Sequence, residues 1–188
     1  QVEIAEASFE IDGTAYPAGS WILPQQEGLS SALEAVASEL ALDFGSTGSA
    51  PDIPRHESAV PRVGVWVPWA DTDSIGWIRY TLDEEKIPYA YLRDGEIRAG
   101  DLKQTVDVVL YGSVLLELPA QIHGIESKHG PMPFTKTSEC PSLGTPVSSE
   151  DITGGIGWTG MANLQAFLEG GGLLVTMGRG TKLALESG

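Results

Sequence analysis

The strongest constraint on the fold is a series of four short apolar runs that alternate with stretches of helical spacing. The third run is rich in Val and Leu, as a strand covered on both faces should be. They span residues 62–67, 88–92, 106–111 and 173–177. Ile75, Ile78 and Leu82 recur at helical spacing between the first two runs. The alternation predicts an α/β fold: a parallel sheet in strand order 2-1-3-4, with helices on both faces and right-handed crossovers.

Residues 1–50 precede this pattern and read as a small N-terminal α+β appendage. Ser8 to Ile11 predicts a short strand, Asp12-Gly13 a turn, and Gly19 to Leu23 the returning strand. A helix should follow, because Leu29, Leu33, Val36 and Leu40 recur at helical spacing.

Two boundaries complete the predicted organisation. Residues 51–61 continue a Gly-, Ser- and Pro-rich stretch and are expected to form a linker, which leaves 62–188 as the α/β domain. We expect this domain to be truncated at its C-terminus, because a further helix should follow the last strand. The chain also lacks an initial Met, so we expect it to be a piece of a longer protein.

Composition excludes several classes of function. The chain has 26 acidic and 11 basic residues, a net charge of −15, and such a field repels phosphate backbones. No nucleic-acid partner is therefore expected. No apolar stretch approaches the roughly 18 residues of a membrane helix. Cys140 is the single cysteine, which excludes an internal disulfide and a cysteine-rich zinc site.

Seven segments, taken in order, carry a family resemblance. They are Ala15–Leu23 (AYPAGSWIL), Pro61–Trp66 (PRVGVW), Gly76–Arg79 (GWIR), Ile97–Leu102 (IRAGDL), Asp107–Leu110 (DVVL), Thr153–Gly157 (TGGIG) and Phe167–Val175 (FLEGGGLLV). Their order resembles the region that follows the catalytic domain in large bacterial zinc carboxypeptidase-like proteins of the carboxypeptidase A superfamily. That region looks like a class I glutamine amidotransferase-like domain, which implies a flavodoxin-like sheet.

The resemblance implies a function as well as a fold. The chain would be a non-catalytic accessory domain that packs on the upstream catalytic domain of the same polypeptide or shapes access to it. The parent would act on peptides, so peptide substrate is a second expected partner. It would be periplasmic or extracellular, with its signal peptide outside this chain. No cofactor is expected here, and zinc is expected only in the parent's catalytic domain.

An amidotransferase needs a Cys nucleophile on a sharp turn after a strand. The equivalent turn reads Tyr111-Gly112-Ser113, without Cys, and Cys140 lies in a loop with no helix to lower its pKa. Ser113 is a weak catalytic candidate, because Gly-Ser-Val-Leu lacks the second Gly of a hydrolase elbow. The alternative function is therefore an autonomous hydrolase or amidotransferase-like enzyme that uses Ser113 or the 112–158 loop.

His123-Gly-Ile-Glu126 matches the His-x-x-Glu of the carboxypeptidase zinc site, and His129 is the nearest third ligand. Three protein ligands and a water would suit catalytic zinc. Gly124 and Gly130 indicate a loop instead of a rigid support. We expect no metal here, with His123, Glu126 and His129 as weak candidates only.

A ligand crevice in an open parallel sheet lies at the carboxyl ends of the strands, where the strand order reverses. Here that point lies between the first and third strands. Trp66, Trp69, Asp71, Asp73 and Trp77 should therefore gather there, close to Ser113. Of these residues, Trp69, Asp71, Asp73 and Ser113 could bind a peptide amine or a sugar. The favoured alternative is that the tryptophans anchor packing and the acids cap the helix. Residues 153–157, Thr-Gly-Gly-Ile-Gly, could cradle an anion but are more typical of a turn.

Overall fold

The computed structural model describes residues 2–112, 114–141 and 148–186. The chain forms two compact units, 1–60 and 61–188, and the boundary along the chain falls between Val60 and Pro61. Each unit is described below by itself.

The N-terminal unit holds two small antiparallel sheets and one helix. β1 (Glu3–Ala5) lies between β4 (Trp21–Ile22) and β5 (Arg55–Glu57), and β2 (Phe9–Ile11) pairs with β3 (Thr14–Tyr16). α1 spans Leu29–Leu40. β5 lies inside the predicted linker 51–61, so that interpretation does not hold for its three residues.

The hairpin turn was predicted correctly, but its returning strand was not. Asp12 and Gly13 both have positive φ, of 50° and 81°, as a two-residue hairpin turn requires. Such a tight turn makes the strand that follows at once, β3, the partner of β2. The segment predicted to return, residues 19–23, instead contributes β4, which pairs with β1.

The second unit is built on a four-stranded parallel sheet. Its strands are β6 (Val63–Trp66), β7 (Tyr89–Leu92), β8 (Val108–Gly112) and β9 (Leu173–Met177), in the order β7-β6-β8-β9. This is the predicted order 2-1-3-4, which is confirmed. Gly64 lies in the middle of the sheet, where an added Cβ would approach Leu92 Cδ1 to 2.6 Å.

Helices cover both faces of this sheet, as predicted. α2 (Ile75–Glu84) packs through Ile75 against Val65 and Val67 on one face. The larger core lies on the other face, where Trp66, Val109 and Tyr111 meet five helices. Those helices are α3 (Asp94–Ala99), α4 (Leu102–Thr105), α5 (Leu118–His123), α6 (Gly157–Glu169) and α7 (Thr181–Glu186).

The long segment between β8 and α6 is more ordered than its sequence suggested. It contains α5 and two isolated bridges, Ile125 with Thr153 and Phe134 with Ser149. Gly124, directly after α5, lies close to Gly155, shortly before α6. A Cβ on Gly124 would lie 2.6 Å from the Gly155 nitrogen. Both glycines have positive φ, so neither position suits another residue.

Across the described ranges, every helix is too short or too polar to cross a lipid bilayer.

Candidate functional site

The reversal of strand order places the carboxyl ends of β6 and β8 side by side. The loop after β6, residues 67–74, leads into α2, and the loop after β8 leads to α5. This carboxyl edge is where a ligand crevice is expected in a parallel sheet. Its residues therefore decide what the unit can do chemically.

A stacked aromatic pair and a buried carboxylate form the interior of this edge. Trp66 and Tyr111 stack with ring centroids 3.9 Å apart, and both are fully buried. Asp94 is also buried and accepts hydrogen bonds from Trp66 Nε1 at 2.9 Å and from the Trp69 backbone N–H at 3.2 Å. Burial raises the pKa of Asp94, and these two hydrogen bonds oppose the rise.

Gln121 joins the two loops that leave β8 and β9. Its amide nitrogen donates to the Leu116 carbonyl at 2.9 Å and to the Arg179 carbonyl at 3.0 Å. Its side-chain oxygen accepts from the Tyr111 hydroxyl at 3.2 Å. Burial raises the pKa of Tyr111, so this hydroxyl stays a neutral donor. The two loops are thus held to each other from inside the unit.

Asp71, one of the predicted ligand-binding residues, has a structural partner. Its Oδ2 accepts a hydrogen bond of 2.6 Å from the Leu115 backbone N–H, 44 residues along the chain. The carboxylate therefore holds the loop after β8 against the loop after β6. The expectation that the acids of this loop cap α2 is wrong for Asp71, since α2 has no side-chain cap and Asp71 binds the other loop instead.

Trp69 is also engaged in packing. Its ring lies 3.9 Å from the Arg93 guanidinium carbon and 5.0 Å from the Phe134 ring. Arg93 contacts the Tyr91 ring at 4.7 Å on its other side, and Arg79 contacts Tyr91 at 4.6 Å. The result is a stack in which arginines and aromatic rings alternate.

Arg93 is buried within that stack. Its Nη1 donates to the Val67 carbonyl at 3.1 Å, whereas its Nε is buried with no hydrogen-bond partner. Burial lowers the pKa of Arg93. The guanidinium thus closes the space beneath Trp69 instead of offering an open anion site.

Asp73 does line an open groove. The groove has a volume of about 600 Å³ and lies between the start of α2 and the ends of β8 and β9. Trp77 and Leu115 form apolar walls and are 75% and 71% exposed. Arg179 also lines it, and its Nη1 donates to Glu117 Oε1 and to the Leu115 carbonyl, both at 3.0 Å. The groove thus combines an acidic and a cationic side chain with apolar walls.

Ser113 lies outside the described residues, so the structure gives no geometry for the weak nucleophile candidate. The residue before it, Gly112, is tightly packed, since an added Cβ would lie 2.6 Å from Met177 Cβ. Cys140 is exposed, and its backbone N–H donates to Thr137 Oγ1 in a local turn.

The metal candidates are not brought together. His123 lies at the end of α5 with its ring 5.8 Å from that of Trp158, and Glu126 pairs with Lys128 at 2.5 Å. His129 is exposed. Within the described part of the chain, no group of three His, Cys, Asp or Glu side chains could hold an ion.

The Thr-Gly-Gly-Ile-Gly segment, residues 153–157, supplies the turn into α6. Gly154 donates its N–H to the Ile125 carbonyl at 2.8 Å, and the Gly155 carbonyl accepts from Arg98. Asp151 accepts from Thr153 N–H at 2.9 Å, and this bond is the main reason for its lowered pKa. The segment is thereby tied to the preceding loop and to α3.

Sequence reasoning missed Arg93, Asp94 and Gln121, which organise this edge. One signal was available for two of them. Arg93 and Asp94 directly follow an apolar run, and polar residues at that position lie at the carboxyl edge of a parallel sheet. Gln121 carried no such signal, because it lies in a segment without periodicity.

Fold and site together define the protein at the level of class: a mixed α/β protein with a four-stranded parallel sheet flanked by helices. No family model, curated protein or solved structure matches the chain.

Proposed function

We propose that this chain is a non-catalytic accessory region of a zinc carboxypeptidase-like protein. Its sheet unit would be a flavodoxin-like domain of class I glutamine amidotransferase-like type. It would pack on the upstream catalytic domain of the same polypeptide, or shape access to it. The parent would be exported, and its zinc would belong to that upstream domain.

One observation carries the non-catalytic part of this proposal. The polar side chains at the carboxyl edge are used to hold the edge together. Asp94 accepts from Trp66 and Trp69, Asp71 accepts from Leu115, and Gln121 joins the loops after β8 and β9. A hydrolytic site instead needs a zinc-bound water, or an activated nucleophile beside oriented donors.

Two of the three histidines have a contact of their own. A general base must lie within hydrogen-bond reach of the nucleophile that it activates. His56 contacts Glu6 at 3.0 Å, and His123 packs edge-on against Trp158. Among the described residues neither contact includes a Ser or Cys side chain. The competing account, an autonomous hydrolase that uses Ser113 or the 112–158 loop, predicts a base beside its nucleophile.

A turnover assay separates these accounts. The purified chain should hydrolyse neither C-terminal peptide bonds nor glutamine, and Ser113→Ala, Cys140→Ala and His123→Ala should match wild type. Turnover by wild type that one substitution abolishes would establish the enzyme account, and that residue would identify the mechanism.

The groove beside Asp73 gives the accessory role a place to act. A peptide substrate of the parent could lie along Trp77 and Leu115, with its charged groups near Asp73 and Arg179. In the parent protein, Asp73→Ala should then raise KM for peptides and leave kcat unchanged, since it would remove binding far from the chemistry. A change in kcat alone would contradict this role.

A further inference from the structure

The N-terminal unit contains an open groove that its own side chains do not fill. The groove has a volume of about 810 Å³ and is bounded by the β2–β3 hairpin, β4, α1 and residues 42–47. Most of its lining is apolar. Its apolar lining includes Phe9, Ile11, Tyr16, Trp21, Leu33 and Phe44.

Part of this lining is exposed to water and the rest is half-buried. Trp21 is 65% exposed, Leu42 44% and Phe44 38%. α1 buries none of its residues, and Ala5 is the one buried hydrophobic residue among residues 2–60. A concave site with a mainly apolar lining and a few polar groups is typical of a binding site.

The charge around the groove has one sign. Glu34 and Asp43 are the charged residues among the described lining of the groove, and both are acidic. Residues 1–60 as a whole contain ten acidic residues and one basic residue, Arg55. A partner that buries the apolar floor must therefore bring its charged residues into a negative field, which favours Lys and Arg.

The shape of the α1 wall favours a helical partner. Leu29, Leu33 and Ala37 line the groove at positions i, i+4 and i+8 of α1. Residues at this spacing form a ridge along a helix, and such ridges pack into the grooves of a second helix. An apolar groove beside an exposed ridge is how amphipathic helices are commonly bound.

We propose that this groove binds a basic amphipathic helix of a partner protein, with its apolar stripe on Leu33 and Trp21 and its Lys or Arg residues beside Glu34 and Asp43. The identity of the partner rests on the proposed function, which makes it the upstream catalytic domain. The chemistry of the groove does not depend on that identity. A second copy of the chain and an anionic lipid surface are disfavoured, since each would bring negative charge to an acidic rim.

Synthetic peptides provide the probe. Three peptides of about 18 residues, long enough to form a helix, would be fluorescently labelled and titrated with the full chain. The first has a Leu stripe and Lys elsewhere, the second keeps the Leu stripe with Glu in place of Lys, and the third keeps the Lys with Ser in place of Leu. Anisotropy should show the Leu/Lys peptide binding at least about tenfold more tightly than either control.

Variants on α1 locate the binding. Leu33→Glu should weaken the Leu/Lys peptide by about tenfold or more, because it places a charge on the apolar floor. Val36→Glu adds the same charge to the same helix away from the groove, and should change affinity by less than about twofold. The double variant Glu34→Gln/Asp43→Asn removes both charges at exposed positions, so the fold should not change. It should weaken binding of the Leu/Lys peptide and reduce the salt dependence of that binding.

Each other outcome overturns the proposal. Equal binding of the Leu/Lys and Ser/Lys peptides would show attraction by net charge alone. Equal effects of Leu33→Glu and Val36→Glu would place binding elsewhere. A concentration-dependent dimer by sedimentation, lost in Leu33→Glu, would identify a second copy as the occupant. The turnover assay described above does not depend on any of these binding measurements. The proposed function can therefore fail while this inference holds, and this inference can fail while the proposed function holds.

Discussion

The two units of this chain have similar apolar composition but use it differently. Of residues 1–60, 26 are apolar, a share close to the 41% of the whole chain. Ala5 is nevertheless the only apolar residue that is buried among those described in this unit. The sheet unit buries a continuous set of residues that includes Trp66, Val109, Tyr111 and Phe167 of α6. The difference therefore lies in arrangement.

Small size alone does not explain the difference. A 60-residue domain ordinarily buries about 60% of the surface of its unfolded chain. The N-terminal unit has short strands of two or three residues and one helix with no buried residue. The sheet unit thus has a core of its own, whereas the apolar side chains of the N-terminal unit stay accessible, as the proposed helix partner requires.

The largest expected effect comes from a matched pair of tryptophan substitutions. Trp66→Ala should lower the free energy of unfolding by about 3–5 kcal/mol, because it empties a fully buried site against Tyr111. Trp21→Ala should cost about 0.5 kcal/mol or less, because Trp21 is 65% exposed. Urea unfolding followed by circular dichroism measures both. Similar losses of unfolding free energy for the two substitutions would contradict the difference between the two units.

A second test concerns the buried carboxylate. Asp94→Ala should lower the free energy of unfolding by about 2–4 kcal/mol, since Trp66 Nε1 and the Trp69 N–H would lose their acceptor. Asp73→Ala, at an exposed position in the same unit, should cost about 0.5 kcal/mol or less. Thermal unfolding of the two variants at one pH gives the result. A cost for Asp94→Ala no greater than that for Asp73→Ala would show that the carboxyl edge is not held together as described.

The smallest expected effect is a change in pH dependence. Hydrogen bonds from Arg62, then from Lys103, hold the pKa of Asp107 below its ordinary value of 3.8. Its contribution to stability is therefore complete above about pH 4 and is lost as the pH falls through the lower, folded pKa. Asp107→Asn should flatten the decline of the melting temperature between about pH 4 and pH 2.

Asp94 acts with the opposite sign, because its raised pKa favours the folded state as the pH falls. Comparing Asp107→Asn with wild type cancels that contribution. Asp52→Asn, an exposed position in the N-terminal unit, is the matched control and should leave the decline unchanged. An unchanged decline in Asp107→Asn would contradict the account of this ion pair.

The sheet could be predicted from sequence because each of its strands lies in a short, mainly apolar run. A strand of this composition is expected to be buried in the sheet. The strand order followed from the same alternation. The pairing of β1 with β4 and β5 could not, because strands of two or three residues carry too little pattern to select a partner. The order within 112–158 was also hidden, since it depends on Gly124 meeting Gly155 across 31 positions.

The position of the candidate site could be predicted from the sequence, but the contacts of its side chains could not. Asp73 lines the groove at the carboxyl edge, where the reversal of strand order indicated. Trp69 and Asp71 were candidates for ligand binding, with a structural role as the favoured alternative, and their partners are Arg93 and the Leu115 N–H. Those partners come from other strands and loops, so no local pattern reveals them. Whether a side chain faces a ligand or a neighbour is decided by such tertiary contacts.

Native-state hydrogen exchange of the full chain tests the central claim most directly. Amides of β8 (Val108–Gly112) lie within the central sheet and should exchange only through global unfolding of their unit. Amides of α1 (Leu29–Leu40) have no buried side chains to hold them, so they should exchange through local opening, orders of magnitude faster. Added Leu/Lys peptide should slow exchange in α1 and leave β8 unchanged. Protection of α1 equal to that of β8 without any partner would show that the N-terminal unit is complete by itself, and would contradict the account.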